Sequence, residues 1–126
     1  MKFPNHLKYT KDHEWAKIDG QKISIGITDH AQSALGDIVY IDLPQVGRVL
    51  KKGETFGVVE SIKAVSDLYA PISGKVIEVQ SALVQDPAVI NRAPHESWMI
   101  VIEANNSAEV SELLSSEDYG KFVETL

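Results

Sequence analysis

A small, mostly β domain, a sandwich or barrel with short peripheral and C-terminal helices, is the fold class predicted for these 126 residues. Three observations predict it. Apolar alternation on both sides of Asp19-Gly20 marks a hairpin. The stretch from Gly57 to Gly74 is rich in β-branched residues and is bracketed by Gly57 and by Pro71-Ile72-Ser73-Gly74. Finally, Pro44-Gln45-Val46-Gly47-Arg48-Val49 and Pro71-Ile72-Ser73-Gly74-Lys75-Val76 share the pattern Pro-x-x-Gly-basic-Val, with Lys63 between the copies. Such a pair suggests two related turns in a quasi-symmetric β structure, although Pro-x-x-Gly is also a common turn signature in its own right.

The elements follow in order. Residues 7–27 read as a hairpin or meander, with strands at Trp15 to Ile18 and Lys22 to Ile27. Thr28 or Asp29 is positioned to cap a short helix from His30 to Leu35, which Gly36 stops. Asp37 to Leu43 returns to a strand with Ile38, Tyr40 and Asp42 on one face and Val39, Ile41 and Leu43 on the other. Its imperfect polar face suggests burial on both sides. Lys51-Lys52-Gly53-Glu54 reads as a turn, Lys75 to Gln80 as a strand, and Asp86-Pro87 as the start of a helical turn running through Ile90. Trp98 to Glu103 is the last strand; Ser107 to Leu114 and Ser116 to Leu126 follow as short helices, the second capped by Ser116.

The length suits one domain over residues 1–126, with a core at about 7–104 and C-terminal helices at about 107–126, and 44% apolar content allows a modest core. A net charge of −6 argues against nucleic acid or an anionic membrane surface as the main partner. Without cysteine, disulfide scaffolds, thiolate metal sites and cysteine nucleophiles are excluded, so any redox chemistry must come from an attached group. No apolar run approaches the roughly 20 residues of a membrane-spanning helix, and Met1-Lys2-Phe3-Pro4-Asn5-His6 does not open a signal peptide. These features lead us to expect a bacterial cytoplasmic protein, or a mitochondrial matrix protein if the chain is a trimmed organellar form.

Lys63 stands out locally. A strongly hydrated ammonium interrupts the apolar run of Val59, Ile62, Ala64 and Val65, the kind of inconsistency that sequences tend to keep at functional sites. Val58, Ile62, Val65 and Tyr69 also fit the spacing of a helical stripe, but the β-branched composition favours two short strands with Lys63 at the hairpin tip. The turn contains no Gly, Asn or Pro, so it must be a type that tolerates ordinary residues, such as type I. Elsewhere the chain has no Gly-x-Ser-x-Gly, phosphate-binding glycine loop or His-Glu-x-x-His, and His6, His13, His30 and His95 lack metal-ligand spacing. A non-catalytic carrier, with no metal site, fits this absence of a self-contained active site.

Four segments carry a family resemblance: KYTKDHEW (8–15), IGITDHAQSALGDIVYIDLP (25–44), GVVESIKAVSDLYAPISG (57–74) and, more loosely, DPAVINRAP followed by Trp98. Together they resemble the glycine cleavage system H proteins, a lipoyl carrier family, over nearly the whole chain. The resemblance implies a lipoyl-domain-like barrel-sandwich hybrid in which lipoic acid is amide-linked to Lys63. Gly47 and Gly74, sixteen residues before and eleven after the lysine, fit the glycine spacing of lipoyl domains, and they are assigned with Glu60 to the hairpin and to ligase recognition.

Family membership further implies a shuttle for the aminomethyl group of glycine. A pyridoxal-phosphate glycine decarboxylase (P protein) loads the arm. A tetrahydrofolate-dependent aminomethyltransferase (T protein) unloads it, and dihydrolipoyl dehydrogenase (L protein) reoxidises it; a lipoyl ligase or transferase installs the cofactor. A labile, cationic cargo calls for an apolar wall with a carboxylate. Glu14 and Asp67 are the expected carboxylates, with Ile27, His30 and Leu35 lining the same cleft; the alternative for both is solvated surface charge, and Asp67 is a further candidate for a turn or, with Glu60, for ligase recognition.

Two positions depart from the family pattern. Ser97 stands where a glycine usually precedes Trp98, in a shortened segment, and Asp12 stands where serine is frequent, adding charge beside His13 and Glu14. Rival functions are less well matched. A biotin carrier should have methionines flanking the lysine, and a 2-oxoacid dehydrogenase module should have a Pro/Ala-rich tether. An H-like lipoyl donor supplying 2-oxoacid dehydrogenases would keep Lys63 while neglecting the cleft, and a purely structural interaction protein would leave Lys63 unmodified.

Overall fold

The computed structural model describes residues 2–126. Among the described residues, nine strands form two antiparallel sheets. One has the order β1-β2-β3-β9-β8-β5, built from Lys8–Tyr9 (β1), Glu14–Asp19 (β2), Lys22–Ile27 (β3), Val49–Leu50 (β5), Gly74–Val79 (β8) and Ile100–Ala104 (β9). The other has the order β4-β6-β7, from Ile38–Asp42, Thr55–Ser61 and Val65–Tyr69. Ile23, Ile25, Ile41, Val59, Leu68, Ile72, Val76 and Ile100 belong to the main buried cluster, to which both sheets contribute. Mostly β architecture with short helices is therefore what the sequence predicted, for the reason it gave: alternating, β-branched segments need a second apolar layer to cover them.

Local signals positioned several elements well. β2 and β3 pair with Asp19 opposite Lys22, so the loop is Gly20-Gln21, one residue later than Asp19-Gly20, with Gly20 at φ +60°. Thr28 caps α1 (Asp29–Leu35), its Oγ1 accepting from the Ala31 amide, and Gly36 at φ +84° ends the helix.

Tertiary context overrode the rest. β4 has a bulge between Ile38 and Tyr40 where it pairs with β6. That extra residue turns both Ile38 and Ile41 inward and leaves Val39 and Tyr40 54% and 47% exposed, so the strand is not buried on both sides. A helix at Ala82–Gln85 (α2) is not signalled by the sequence; it is fixed by burial of Leu83, and Asp86 caps its end while its carbonyl accepts from the Val89 amide at 3.2 Å, opening the turn expected from Asp86-Pro87. The next turn, α3, is Val89–Arg92. β9 begins at Ile100, although Met99 already donates its amide to the Ile25 carbonyl. Ser107–Glu112 is a 3₁₀ turn, and Ser115 rather than Ser116 caps α4 (Ser116–Glu124) through the Asp118 amide. α4 closes a second buried cluster of Leu7, Tyr9, Trp15 and Tyr119.

A pinned lysine hairpin and a buried carboxylate

The β6-β7 hairpin presents Lys63. Glu60 pairs with Val65, and the Ser61 amide donates to the Ala64 carbonyl at 2.8 Å. No glycine serves this turn. Instead Ser61 Oγ accepts from the amides of Lys63 at 3.3 Å and Ala64 at 3.0 Å, replacing a backbone acceptor within the loop. Residues 62–64 all keep negative φ, consistent with a turn open to ordinary residues. Lys63 is exposed between Ile62 and Val65, which are 71% and 67% exposed. Among the described residues, its ammonium has no salt bridge and no hydrogen bond. A Cβ at Gly36 would lie 3.4 Å from Lys63 Cε, so the lysine stem leans on the C-terminal end of α1. The Ile62 amide donates to Asp37 at 3.1 Å and ties the tip to the same junction.

The two Pro-x-x-Gly-basic-Val copies pair with each other. Val49 lies opposite Lys75 and Leu50 opposite Gly74. Gly47 adopts φ +100°, and Gly74 is required by space: an added Cβ would meet the Glu103 carbonyl oxygen. Glu60 is half-buried in the middle strand, flanked by Tyr40 and Val65 across the sheet. The three residues therefore sit behind the hairpin and in its wall.

Glu14 is only 2% exposed. Thr10 Oγ1 donates to its Oε1 at 2.7 Å, and the Tyr69 amide donates to Oε2 at 3.4 Å. Burial, reinforced by Asp12, pushes the carboxyl up to about 7, while the Thr10 and Tyr69 hydrogen bonds oppose the rise. Ile27 is its cross-strand partner and is itself buried. Asp67 is exposed on β7, two residues before Tyr69, with no ion pair from its carboxylate among the described residues. His30, at the start of α1, lies against His13 with ring centroids 4.5 Å apart, and Leu35 packs on the main core. A cavity of about 300 Å³ opens beside Glu14, lined also by Thr10, Asp12, Lys52 and Pro71. None of Asp67, Ile27, His30 and Leu35 lines that cavity.

Four contributors escaped sequence reasoning. Ser61 and Thr10 act through short local hydrogen bonds, and Thr10-x-x-x-Glu14 was the available signal. In the sequence Gly36 signals only a helix stop. Tyr119 is the distant one: its hydroxyl meets Thr28 Oγ1 and His13 Nδ1, each at 2.8 Å, and so anchors the loop before Glu14. His13 holds φ +67°, and burial with the neighbouring His30 keeps its imidazole below the usual range against the pull of Asp12.

Fold and tip define a class: a small β sandwich that presents one unpartnered lysine at the end of a braced hairpin. A family model described as "Glycine cleavage H-protein" matches residues 7–126. A glycine cleavage system H protein from Carboxydothermus hydrogenoformans is 55% identical over 122 residues, covering 96% of this chain and 94% of its own. The one from Halalkalibacterium halodurans is 51% identical over 121 residues, covering 95% and 94%. A crystal structure of a glycine cleavage system H protein from Mycobacterium marinum superposes with a TM-score of 0.89 at 40% identity, covering 98% of this chain and all of that one. The chain belongs to the glycine cleavage H-protein family, whose members are lipoyl carriers.

Proposed function

We propose that this chain carries lipoic acid on Lys63 and, through it, passes the aminomethyl group of glycine from the glycine decarboxylase to the tetrahydrofolate-dependent aminomethyltransferase. One observation carries the proposal: an exposed lysine without a partner side chain stands at a hairpin tip fixed by Ser61. An amine so placed is open to acylation, and the flanking Ile62 and Val65 offer an apolar rim. When bound, the lipoyl group supplies a disulfide that accepts the aminomethyl unit and is later restored from the dithiol by dihydrolipoyl dehydrogenase.

The protein's own part is position and shelter. Gly47 and Gly74 allow the two turn copies to close behind the hairpin, and Glu60, in its wall, is offered to the ligase or transferase that modifies Lys63. Glu14 and Asp67 are the carboxylates for a cationic amine, and Ile27, His30 and Leu35 limit the access of water. Burial of Glu14 strengthens any ion pair it makes, because little solvent screens it. Entry of a cation also favours its ionised form.

Peptide mass spectrometry on protein from its native host tests the assignment. A lipoyl increment is expected on Lys63, and Lys63→Arg, which keeps the charge but forms no lipoyl amide, should abolish glycine cleavage. Activity retained by Lys63→Arg would overturn the mechanism.

A further inference from the structure

In an antiparallel pair, the residues of alternate cross-strand pairs direct their backbone groups away from the partner strand. Ser61 and Ala64 form the bonded pair at the turn. With Val59 opposite Ser66 and Gly57 opposite Leu68, the bonded row of β7 runs through Ala64, Ser66 and Leu68. Val65, Asp67 and Tyr69 therefore point their N–H and C=O groups out of the sheet. The Tyr69 amide confirms the phase, because it leaves the sheet and donates to Glu14 Oε2. The Val65 and Asp67 amides have no partner among the described residues, and the Asp67 carbonyl accepts only a long 3.4 Å bond from Ser66 Oγ. β7 is an edge strand.

This open edge has defined ends. β7 starts two residues after Lys63 and ends where Tyr69 meets Glu14. α1 shares both ends: it follows Ile27, the partner of Glu14, and stops at Gly36, on which the Lys63 stem rests. Outward groups along such an edge repeat about every 6.6 Å. An arm leaving Lys63 toward Glu14 thus passes two unsatisfied backbone positions before it reaches the carboxylate.

We propose that the outward edge of β7, the backbone N–H and C=O groups of Val65 and Asp67, binds the amide that joins the acyl arm to Lys63. The assignment rests on Lys63 being lipoylated, as proposed above. A trans secondary amide turns its donor and acceptor to opposite sides, so it offers the edge one of them, its C=O, which accepts from a single outward N–H, that of Val65 or of Asp67. Pairing it with β7 lays the arm along the strand as a short β addition and directs its far end to Glu14, where the edge is already closed. The edge recognises the amide linkage, and the cationic cargo on Glu14 holds the arm against it.

Hydrogen exchange on the whole lipoylated protein, before and after loading with glycine by the glycine decarboxylase, tests this site. Loading should slow exchange of one of the two outward amides, Val65 or Asp67, by about tenfold or more, and leave those of Ser66 and Leu68, already bonded within the sheet, unchanged. The Glu14 carboxyl resonance, followed in the same samples, reports whether the arm has docked. A shifted Glu14 resonance with unaltered exchange at Val65 and Asp67 would overturn the edge site and leave the carrier function standing. Loading that moves neither signal would also overturn the edge site, and absence of lipoyl on Lys63 would overturn both it and the carrier function.

Discussion

The amide of Gly47 donates to the carbonyl of Val76 at 2.8 Å, and the Val76 amide donates in turn to the carbonyl of Arg48, also at 2.8 Å. The two copies of Pro-x-x-Gly-basic-Val thus hold each other, one starting before the Lys63 hairpin and one ending after it. Closing this pair fixes both chain ends of the segment that carries the lysine.

The two glycines serve that closure for different reasons, so alanine should affect them unequally. Gly47 has φ +100° but nothing within 4 Å of an added Cβ, leaving only backbone strain, about 1–2 kcal/mol. At Gly74 the methyl would collide with the Glu103 carbonyl and with Ile102 inside the sheet. Gly74→Ala should therefore lose more stability in urea unfolding than Gly47→Ala, by about 1 kcal/mol or more. Equal losses would show that the β8-β9 contact yields to a methyl group.

Ser61→Ala should loosen the tip without unfolding the sheet. The substitution removes a buried acceptor for the amides of Lys63 and Ala64, two exposed residues that water can reach, at a cost of about 1 kcal/mol. Amide exchange at Lys63 and Ala64 should accelerate while Val59 and Leu68 keep their protection. Ser61→Thr, which retains the hydroxyl, should behave like the wild type.

How much was legible follows the distance over which each feature is decided. Gly20, the Thr28 cap and the Gly36 stop rest on residues within a few positions, and each could be read locally. Lys63 was legible because a charge interrupting a β-branched run conflicts with its own neighbours. The β4 bulge was not, because it exists only in register with β6, and the strand alone cannot show that Val39 and Tyr40 face solvent. Glu14 could be named as a carboxylate, but its burial depends on β3 and β7, distant in sequence. Tyr119 stayed hidden for the same reason: its partners lie 91 and 106 residues away.

Tyr119→Phe isolates that long-range anchor. Loss of the hydroxyl leaves the wholly buried Thr28 Oγ1 accepting from the Ala31 amide but with nothing to donate to, and it frees His13 Nδ1. The expected cost is about 1–3 kcal/mol in chemical denaturation. Because the His13 backbone continues into Glu14, exchange of the His13 and Glu14 amides should also rise. Unchanged exchange there would confine Tyr119 to packing against Tyr9, on which it stacks at 4.8 Å between ring centroids.

Glu14 makes stability depend on pH in a direction opposite to that of most surface carboxylates. Its carboxyl is raised from 4.5 to about 7 in the folded protein, chiefly by burial. Between those values the unfolded chain has released a proton that the folded protein still holds. Its contribution is therefore complete below pH 4.5 and is lost as pH rises through 7. The full span corresponds to a loss on the order of 3 kcal/mol. His13 and His95, held low mainly by burial, act in the opposite sense, losing stability as pH falls. Glu14→Gln removes the carboxyl titration and leaves both histidines in place. Urea unfolding of the two proteins from about pH 5 to about pH 8 should show the difference shifting steadily in favour of the glutamine variant. A difference independent of pH would mean that Glu14 ionises alike in the folded and unfolded chains, and that its burial does not bias the cleft toward a cation.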